Sequence, residues 1–404
     1  MQYTRTAISG AAWLTAVKIF TKTFSVAKYF ILARLVSPYE FGLAGVAFLV
    51  LGLIDTCTET GLIQAFIQLP KDEEKYTKTV WTTLAIRGLL ITFLMLITSS
   101  LVNHIYAPGT IHLTVLASAA LFIKGLANPN VMLLRKYALY HKEFLFQVIP
   151  SFTDSVFTIL FAWFFRNGLA LILGTLMGTF TATIMSYFLS QKFRSQFSYL
   201  RLKSLYSYGR WITVGGVLSY FTEKSDDLVV GKILGPFQLG LYQMAYRVSN
   251  APTTEGAGLI YQVVFPLFSR LQNEPVRLKR GVAKILGLNF LLSLSFALVI
   301  YLALPVFIPI VLTPAWIPII PVVNLMLIFG IIRSHISTGL AYFDAVGRPE
   351  VATLAGLFKL VGLVILVIPL TRGFGLIGTA WSVVLSQAVV APWFFYRLYR
   401  SLNP

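Results

Sequence analysis

The sequence predicts an all-α multi-pass membrane protein with about twelve transmembrane helices, arranged as two six-helix lobes around a central cleft. Three observations predict this fold class. Hydrophobic residues make up 57% of the chain and charged residues only 12%, whereas soluble domains carry roughly 25% charged residues. A short motif recurs in both halves of the chain. The Lys and Arg residues between the apolar segments also alternate in density, as they do in proteins that cross a bilayer repeatedly.

Twelve apolar segments are long enough to cross a bilayer, which requires roughly 20 residues each. Their predicted ranges are 10–33, 41–68, 80–102, 111–134, 145–165, 168–190, 206–233, 237–268, 283–304, 315–340, 352–370 and 375–396. The connections between them are short, so none of them could hold a soluble domain. Six spans per half predict an N-terminal lobe, 1–200, and a C-terminal lobe, 201–404.

The two-lobe prediction rests on a repeated turn. Pro38-Tyr39-Glu40-Phe41-Gly42-Leu43 is echoed 198 residues later, from Pro38 to Pro236, by Pro236-Phe237-Gln238-Leu239-Gly240-Leu241. Each copy lies between two long apolar segments. Two halves with an even number of spans enter the membrane in the same orientation, so an axis along the membrane normal should relate them.

The distribution of Lys and Arg predicts the orientation. One alternate set of connections and termini carries eighteen of these residues, and the opposite set carries only Arg34, Arg166 and Arg372. Because cytoplasmic loops carry the excess of positive charge, both termini are expected in the cytoplasm. The same rule explains the net charge of +18 without a nucleic-acid partner.

Charged residues inside the first two spans are the main functional clue. A charge at membrane depth costs roughly 2.5 to 3.5 kcal/mol even on the mild translocon scale. If the chain folds back at Pro38, Lys22 lies level with Asp55 and Lys18 lies level with Glu59. These residues would form either two ion pairs that hold the hairpin together or the wall of a polar cavity that meets a charged substrate.

The second half carries a similar density of charge. Folding about the second turn places Asp226 level with Arg247, and Lys224 can pair with Asp227 three residues away. The candidate substrate-binding cations of the whole chain are Lys18, Lys22, Lys28, Arg210 and Arg247. The candidate coupling or ion-pair carboxylates are Asp55, Glu59, Asp226, Asp227 and Glu255. Five further charges lie within or near spans without an assigned role: Arg87, Lys124, Asp154, Arg333 and Lys359.

No enzyme motif occurs in the chain. It contains no GxxxxGK[ST] phosphate loop, no HExxH and no CxxC, and its four histidines are scattered. We therefore expect no catalytic residues, no metal site and no cofactor. The single cysteine, Cys57, is expected to be a small buried residue.

With these residues, the chain resembles the polysaccharide transporter family of the MOP flippase superfamily, whose members share a MATE-like fold. The resemblance is carried by the lysine-bearing first helix, by Leu32-Ala33-Arg34-Leu35-Val36-Ser37-Pro38-Tyr39-Glu40-Phe41-Gly42, by Asp55 and Thr60-Gly61-Leu62-Ile63-Gln64-Ala65, by Gly231-Lys232-Ile233-Leu234-Gly235 through Gly240-Leu241-Tyr242, and by Asp344-Ala345-Val346-Gly347-Arg348. Many members of the family have fourteen helices, whereas twelve spans are predicted here. The usual last pair of helices is therefore expected to be absent.

The resemblance implies a flippase in the bacterial cytoplasmic (inner) membrane. It would move an undecaprenyl-pyrophosphate-linked oligosaccharide across this membrane by alternating access, for O-antigen, capsule or exopolysaccharide synthesis. Its partners would be this lipid-linked oligosaccharide, membrane lipid, and candidate polymerase and chain-length machinery. Two alternatives stay open. A cation-coupled multidrug exporter of the same fold would need carboxylates without the excess of lysine in the first span. A polymerase or ligase of sugar chains would need a large external loop.

Overall fold

The computed structural model describes residues 2–69, 73–190 and 197–403, and within these ranges it describes no side chains for 2–9, 11, 204–211, 250–257 and 259. The described residues form helices and turns without any strand. The chain separates into two compact units, Met1–Tyr220 and Phe221–Pro404. The predicted lobes, 1–200 and 201–404, stay a prediction.

The described residues of the first unit form eight α-helices, the last of which continues into the second unit. They are α1 (Gln2–Leu35), α2 (Pro38–Thr58), α3 (Leu62–Gln68), α4 (Glu73–Ile105), α5 (Thr110–Gly125), α6 (Tyr140–Phe165), α7 (Leu169–Leu189) and α8 (Tyr199–Ile233). Helix α1 packs along α6, α2 and α4 pack on α5, and α6 packs on α7. Rings on α1 and α6 interlock, since Trp13 and Phe20 both meet Phe144 edge-on.

The predicted turn at Ser37-Pro38 separates α1 from α2. Ser37 is the N-cap of α2, and its hydroxyl accepts a hydrogen bond from the Glu40 backbone N–H at 3.4 Å. Pro38 lies in the first turn, where its missing N–H costs nothing. The Glu40 carboxylate accepts the Gly168 backbone N–H at 2.7 Å. The motif therefore starts one helix and also holds the beginning of α7.

Two predicted spans of the first unit are interrupted. The span 41–68 breaks between α2 and α3, where Gly61 has a φ of 61° and ψ of 15°, a conformation that suits glycine. The span 111–134 ends as α-helix at Gly125 and continues as a 3₁₀ turn, Pro129–Leu133. The expectation for Cys57 is wrong, because this residue is exposed. It follows the buried stretch of α2, which ends at Leu51.

The second unit contains the rest of the chain. Its further helices are α9 (Gly235–Leu271), α10 (Pro275–Phe307), α11 (Ile320–Ala345) and α12 (Glu350–Leu402), with a π turn at Ile308–Leu312 and a 3₁₀ turn at Pro314–Ile319. Helix α11 packs against α9, α10 and α12. The core includes Phe268, Phe343 and Phe394, which are almost fully buried.

Helix α12 contains two predicted spans. Its backbone bends at Gly375, which has φ 59° and ψ −139°. The two segments on either side of this glycine then lie against each other, as shown by the edge-on contact between Phe358 and Trp393 with ring centroids 5.0 Å apart. The predicted connection between the eleventh and twelfth spans is therefore a single-residue kink.

Seven of the described helices are long and apolar enough to cross a membrane. These are Pro38–Thr58, Glu73–Ile105, Tyr140–Phe165, Leu169–Leu189, Pro275–Leu312, Pro314–Ala345 and Glu350–Leu402, and two shorter apolar helices are Thr110–Gly125 and Ile260–Leu271. The broad apolar surface of these helices stays exposed in the isolated chain, with Phe164 and Phe188 at 76% and 81%. A bilayer would cover such a surface.

Candidate functional site

Arg87 of α4 is the centre of a charged network in the first unit. Its Nε donates to the Thr58 carbonyl at 2.9 Å, and its Nη2 donates to the Asp55 carbonyl at 2.5 Å and to the Asp55 carboxylate. The Glu59 carboxylate lies 3.5 Å from the same Nη2. Helix α2 ends at Thr58, and the last carbonyls of a helix have no partner within it. Arg87 therefore donates to the free carbonyls at the end of α2 and neutralises the two acids there, Asp55 and Glu59.

Lys124 of α5 adds a second cation to this network. Its Nζ lies 3.8 Å from the Asp55 carboxylate. The Lys124 side chain is 57% exposed, whereas that of Arg87 is only 13% exposed. Arg87 is thus held in place by its hydrogen bonds and is shielded from solvent, whereas the Lys124 ammonium group stays accessible.

A separate ion pair, between the buried Lys28 and the half-buried Asp154, joins α1 to α6. The Lys28 Nζ donates to the Asp154 carboxylate at 2.5 Å, and it lies 5.1 Å from the centre of the Tyr29 ring. Asp154 lies where α6 meets α7, opposite Gly178. A Cβ on Gly178 would come within 2.7 Å of the Asp154 Cβ, so this glycine permits the close packing that positions the carboxylate.

The network and the α1–α6 ion pair border one cavity of about 450 Å³ inside the first unit. Four charged residues line it: Glu59, Arg87, Lys124 and Asp154. Hydroxyl and amide groups, including Ser151, Thr175, Thr179, Thr183 and Asn128, lie among its apolar wall residues. The cavity is large enough for several water molecules, and its polar groups could hold them.

The second unit carries its own charged cluster on α8. Asp226 and Asp227 are both buried. The Tyr242 hydroxyl donates to Asp226 at 2.7 Å, and the Lys224 Nζ donates to Asp227 at 3.1 Å. The predicted pairing of Lys224 with Asp227 is therefore confirmed. The second carboxylate oxygen of Asp226 and the hydroxyl of Ser225 are buried and have no hydrogen-bond partner among the residues that the structure describes.

Two further cations of this unit lie over one aromatic ring. The Arg333 guanidinium and the Lys359 ammonium lie 5.7 Å and 5.4 Å from the centre of the Phe329 ring. Arg333 also donates to the Tyr246 hydroxyl at 3.2 Å and lies 3.6 Å from the Glu223 carboxylate. Cations stack favourably on aromatic faces, so this arrangement keeps two positive charges within the helices of the second unit.

The structure sorts the predicted site residues whose side chains it describes into three groups. Lys18, Lys22 and Arg247 are exposed, whereas Lys28, Asp226 and Asp227 are buried. Asp55 and Glu59 belong to the Arg87 network. The side chains of Arg210 and Glu255 lie outside the described residues.

The depth rule for the hairpin did not identify the partners of the acids. It matched Asp55 with Lys22 and Glu59 with Lys18, but Arg87 is bound to both carboxylates. The rule assumes that consecutive helices pack side by side, whereas the described part of α1 packs mainly along α6. The sequence did place Arg87 and Lys124, which meet these acids, and Asp154, which meets Lys28, well inside their spans. That depth was the feature that could have identified them as partners.

Comparisons with known proteins agree with this architecture. Residues 31–321 match the family model described as "Polysaccharide biosynthesis protein". The chain is 24% identical to the lipopolysaccharide biosynthesis protein WzxC of Escherichia coli K12 over 332 residues, which cover 81% of this chain and 67% of WzxC.

Solved structures show the fold. The chain is similar to the lipid II flippase MurJ in an inward closed conformation, with a TM-score of 0.79, 13% identity, and coverage of 95% of this chain and 87% of MurJ. It is also similar to an inward-facing multidrug resistance MATE family transporter of the MOP superfamily, with a TM-score of 0.75, 16% identity and 95% coverage of both chains. The predicted all-α, multi-pass, MOP-like fold is confirmed. The chain belongs to the polysaccharide biosynthesis protein family of membrane proteins with the MOP-superfamily fold.

Proposed function

We propose that this protein is a flippase that moves an undecaprenyl-pyrophosphate-linked oligosaccharide across the bacterial cytoplasmic membrane, for O-antigen, capsule or exopolysaccharide synthesis. Three observations support the class. The family is one of polysaccharide biosynthesis, a relative is named for lipopolysaccharide biosynthesis, and a protein of the same fold is a flippase for lipid II. The absence of a nucleotide-binding or hydrolytic motif agrees with a transporter rather than an enzyme.

The observation that carries the proposal is the charge balance of the first unit. At membrane depth, Asp55, Glu59 and Asp154 are matched by Arg87, Lys124 and Lys28. Lys18 and Lys22 raise the count to five cations against three carboxylates; they lie one turn apart on α1, and both are exposed. Charged residues within membrane segments mark sites for charged substrates, and an excess of accessible cations favours an anion.

A pyrophosphate group is such an anion. Charge-assisted hydrogen bonds from ammonium groups to phosphate oxygens are roughly twice as strong as neutral ones. We propose Lys18 and Lys22 as the principal contacts of the pyrophosphate, with Arg210 and Arg247 as further contacts. Lys28 is less available than Lys18 and Lys22, because a carboxylate already holds it in a buried position.

The proposed orientation puts both termini in the cytoplasm. It is supported by the excess of Lys and Arg in one alternate set of connections. The head group would bind from the cytoplasmic leaflet, cross by alternating access, and leave its lipid tail in the bilayer. A polysaccharide polymerase and chain-length machinery are the partners proposed on the outer side.

The test is complementation of a deletion strain. The strain should accumulate the lipid-linked oligosaccharide and lose surface polysaccharide, and the wild-type gene should reverse both. The Lys18→Ala/Lys22→Ala double variant should reach normal abundance and still accumulate the intermediate, as measured by mass spectrometry of extracted lipids. Lys18→Arg/Lys22→Arg, which retains the charge, should restore a substantial part of the export.

A matched control is Lys284→Ala, which removes an exposed lysine from α10 and should complement fully. Full complementation by the double alanine variant would refute the role of the two lysines. An unchanged lipid pool in the deletion strain, together with increased sensitivity to cationic dyes, would favour the multidrug exporter, which the MATE-like fold keeps as the second candidate.

A further inference from the structure

The second unit has a basic pocket where α12 both begins and ends. Because α12 bends at Gly375, its first and last turns lie at the same end of the unit. They enclose a cavity of about 580 Å³ together with the turn after α11. We define the basic pocket by Arg348, Glu350, Trp393, Arg397, Arg400 and Asn403.

The charge of the basic pocket favours an anion. Three guanidinium groups and one carboxylate line it, which leaves a net charge of 3 − 1 = +2. Within the described part of the chain, Arg348, Arg397 and Arg400 form no ion pair. An arginine stays charged at all relevant pH values and offers up to five N–H donors in a planar fork that matches phosphate oxygens.

The surroundings of the basic pocket point to a lipid head group rather than a soluble anion. Trp393 lines the pocket, and the exposed rings of Tyr396 and Tyr399 lie on the same last turns of α12. Trp and Tyr are enriched at the membrane–water interface, so this end of α12 lies at the depth of lipid head groups.

An apolar surface leads from the basic pocket along the first segment of α12. Leu354 lines the pocket, and Leu357, Phe358 and Val361 follow it with exposed side chains. Acyl chains could lie on this surface while the head group occupies the pocket. Basic pockets between transmembrane helices on the cytoplasmic side are known to bind anionic lipid head groups.

From this geometry we propose that the basic pocket binds the head group of a membrane lipid that carries two phosphates. A net charge of +2 matches two phosphates better than one, and the volume accommodates more than a single phosphate. Two lipids have this chemistry: cardiolipin, as a resident lipid, and undecaprenyl pyrophosphate, the carrier of the proposed substrate. The site itself does not depend on the proposed transport activity.

The experiment is native mass spectrometry of the full chain purified in detergent and incubated with one defined lipid at a time. The lipids are cardiolipin, undecaprenyl pyrophosphate, phosphatidylglycerol with one phosphate, and zwitterionic phosphatidylethanolamine. The wild-type protein should retain at least one of the two-phosphate lipids more strongly than the other two lipids. Whichever is retained identifies the source that fills the pocket.

The test variant is Arg348→Gln/Arg397→Gln/Arg400→Gln, whose three side chains are exposed and can be changed without disturbing the core. It should bind the retained lipid about tenfold or more weakly, since each surface arginine contributes to anionic lipid binding. The charge-matched control is Arg270→Gln/Arg277→Gln/Arg280→Gln at the end of α9 and the start of α10, outside the pocket. It should bind like the wild type.

Folding of each variant is checked by size-exclusion elution and circular dichroism. A third variant, Arg348→Lys/Arg397→Lys/Arg400→Lys, retains the charge and loses the planar fork, and it should bind more strongly than the glutamine variant. The proposal would be overturned by equal binding of wild-type and pocket variant, by an equal loss in the control variant, or by phosphatidylglycerol binding as strongly as both two-phosphate lipids.

Discussion

Removal of Arg87 should destabilise the first unit more than removal of any exposed cation. The Arg87→Met variant keeps the length of the side chain and deletes its charge and its donors. The variant leaves the Thr58 and Asp55 carbonyls without their donor and leaves Asp55 and Glu59 with one cation fewer. Breaking one partner out of a buried ion pair costs about 3 to 5 kcal/mol.

Two features of the network reduce this value. The Asp55 and Glu59 side chains are 26% and 29% exposed, so water can replace part of the lost interaction. Lys124 also stays 3.8 Å from Asp55. We therefore expect a loss of about 2 to 3 kcal/mol, below the range for fully buried pairs. For a unit of this size, that corresponds to a fall of about 5 to 10 °C in the apparent Tm.

The assay is thermal unfolding of the purified protein in detergent, followed by circular dichroism and by aggregation. Lys284→Met, which deletes an exposed cation of α10, is the control and should change the apparent Tm by about 1 °C or less. Arg87→Lys should lie between the two, because one ammonium group cannot reach all four acceptors of the guanidinium.

A double-variant cycle tests the pairing itself. Asp55→Asn alone should destabilise, and Arg87→Met/Asp55→Asn should cost clearly less than the sum of the single changes, with a coupling of about 1 kcal/mol or more. Strictly additive effects, or an unchanged Tm for Arg87→Met, would refute the assignment of Arg87 as the residue that closes α2.

The remaining predictions concern one ion pair, one kink and one cap. Lys28→Met should lower the apparent Tm by breaking the contact with Asp154. The Lys28→Met/Asp154→Leu variant should recover much of this loss, since an apolar pair of similar volume can replace a buried ion pair. A double variant with the same low Tm as Lys28→Met would contradict this. Gly375→Ala should lower the free energy of unfolding by about 1 to 3 kcal/mol, because the backbone conformation at this position suits glycine. An unchanged yield of folded protein in membranes would contradict this prediction. Glu40→Ala should lower the free energy of unfolding by about 1 kcal/mol, because it removes the acceptor of the Gly168 N–H. Glu40→Gln keeps an acceptor oxygen and should retain most of the stability. Equal Tm values for the two variants would exclude the capping role.

The structure also changes how a charge exchange between Lys22 and Asp55 should be interpreted. Under the ion-pair interpretation of the hairpin, an exchange of the two residues would preserve the pair and hence function. With Arg87 and Lys124 beside position 55, a lysine there would meet two cations. We therefore expect the exchanged protein to be unstable, and its loss of function would not report on substrate contact.

The sequence by itself determined the class of this protein, because each relevant signal is local or compositional. Long apolar segments, short connections and the bias of Lys and Arg require no knowledge of packing. The turn at Ser37-Pro38 could also be predicted from the sequence, since the capping residue and the proline act within one turn of the helix that they begin. The pairing of Lys224 with Asp227 was predictable for the same reason, because both residues lie on one helix face.

Only the tertiary structure decided which charges meet across helices. A hydrogen bond extends over about 3 Å, so the partner of a buried acid depends on which helix lies beside it. Helix α1 packs along α6, which joins Lys28 to Asp154 and leaves Asp55 and Glu59 to Arg87. The basic pocket has the same origin, since the bend at Gly375 brings together residues about fifty positions apart, and no short-range pattern in the chain encodes that contact.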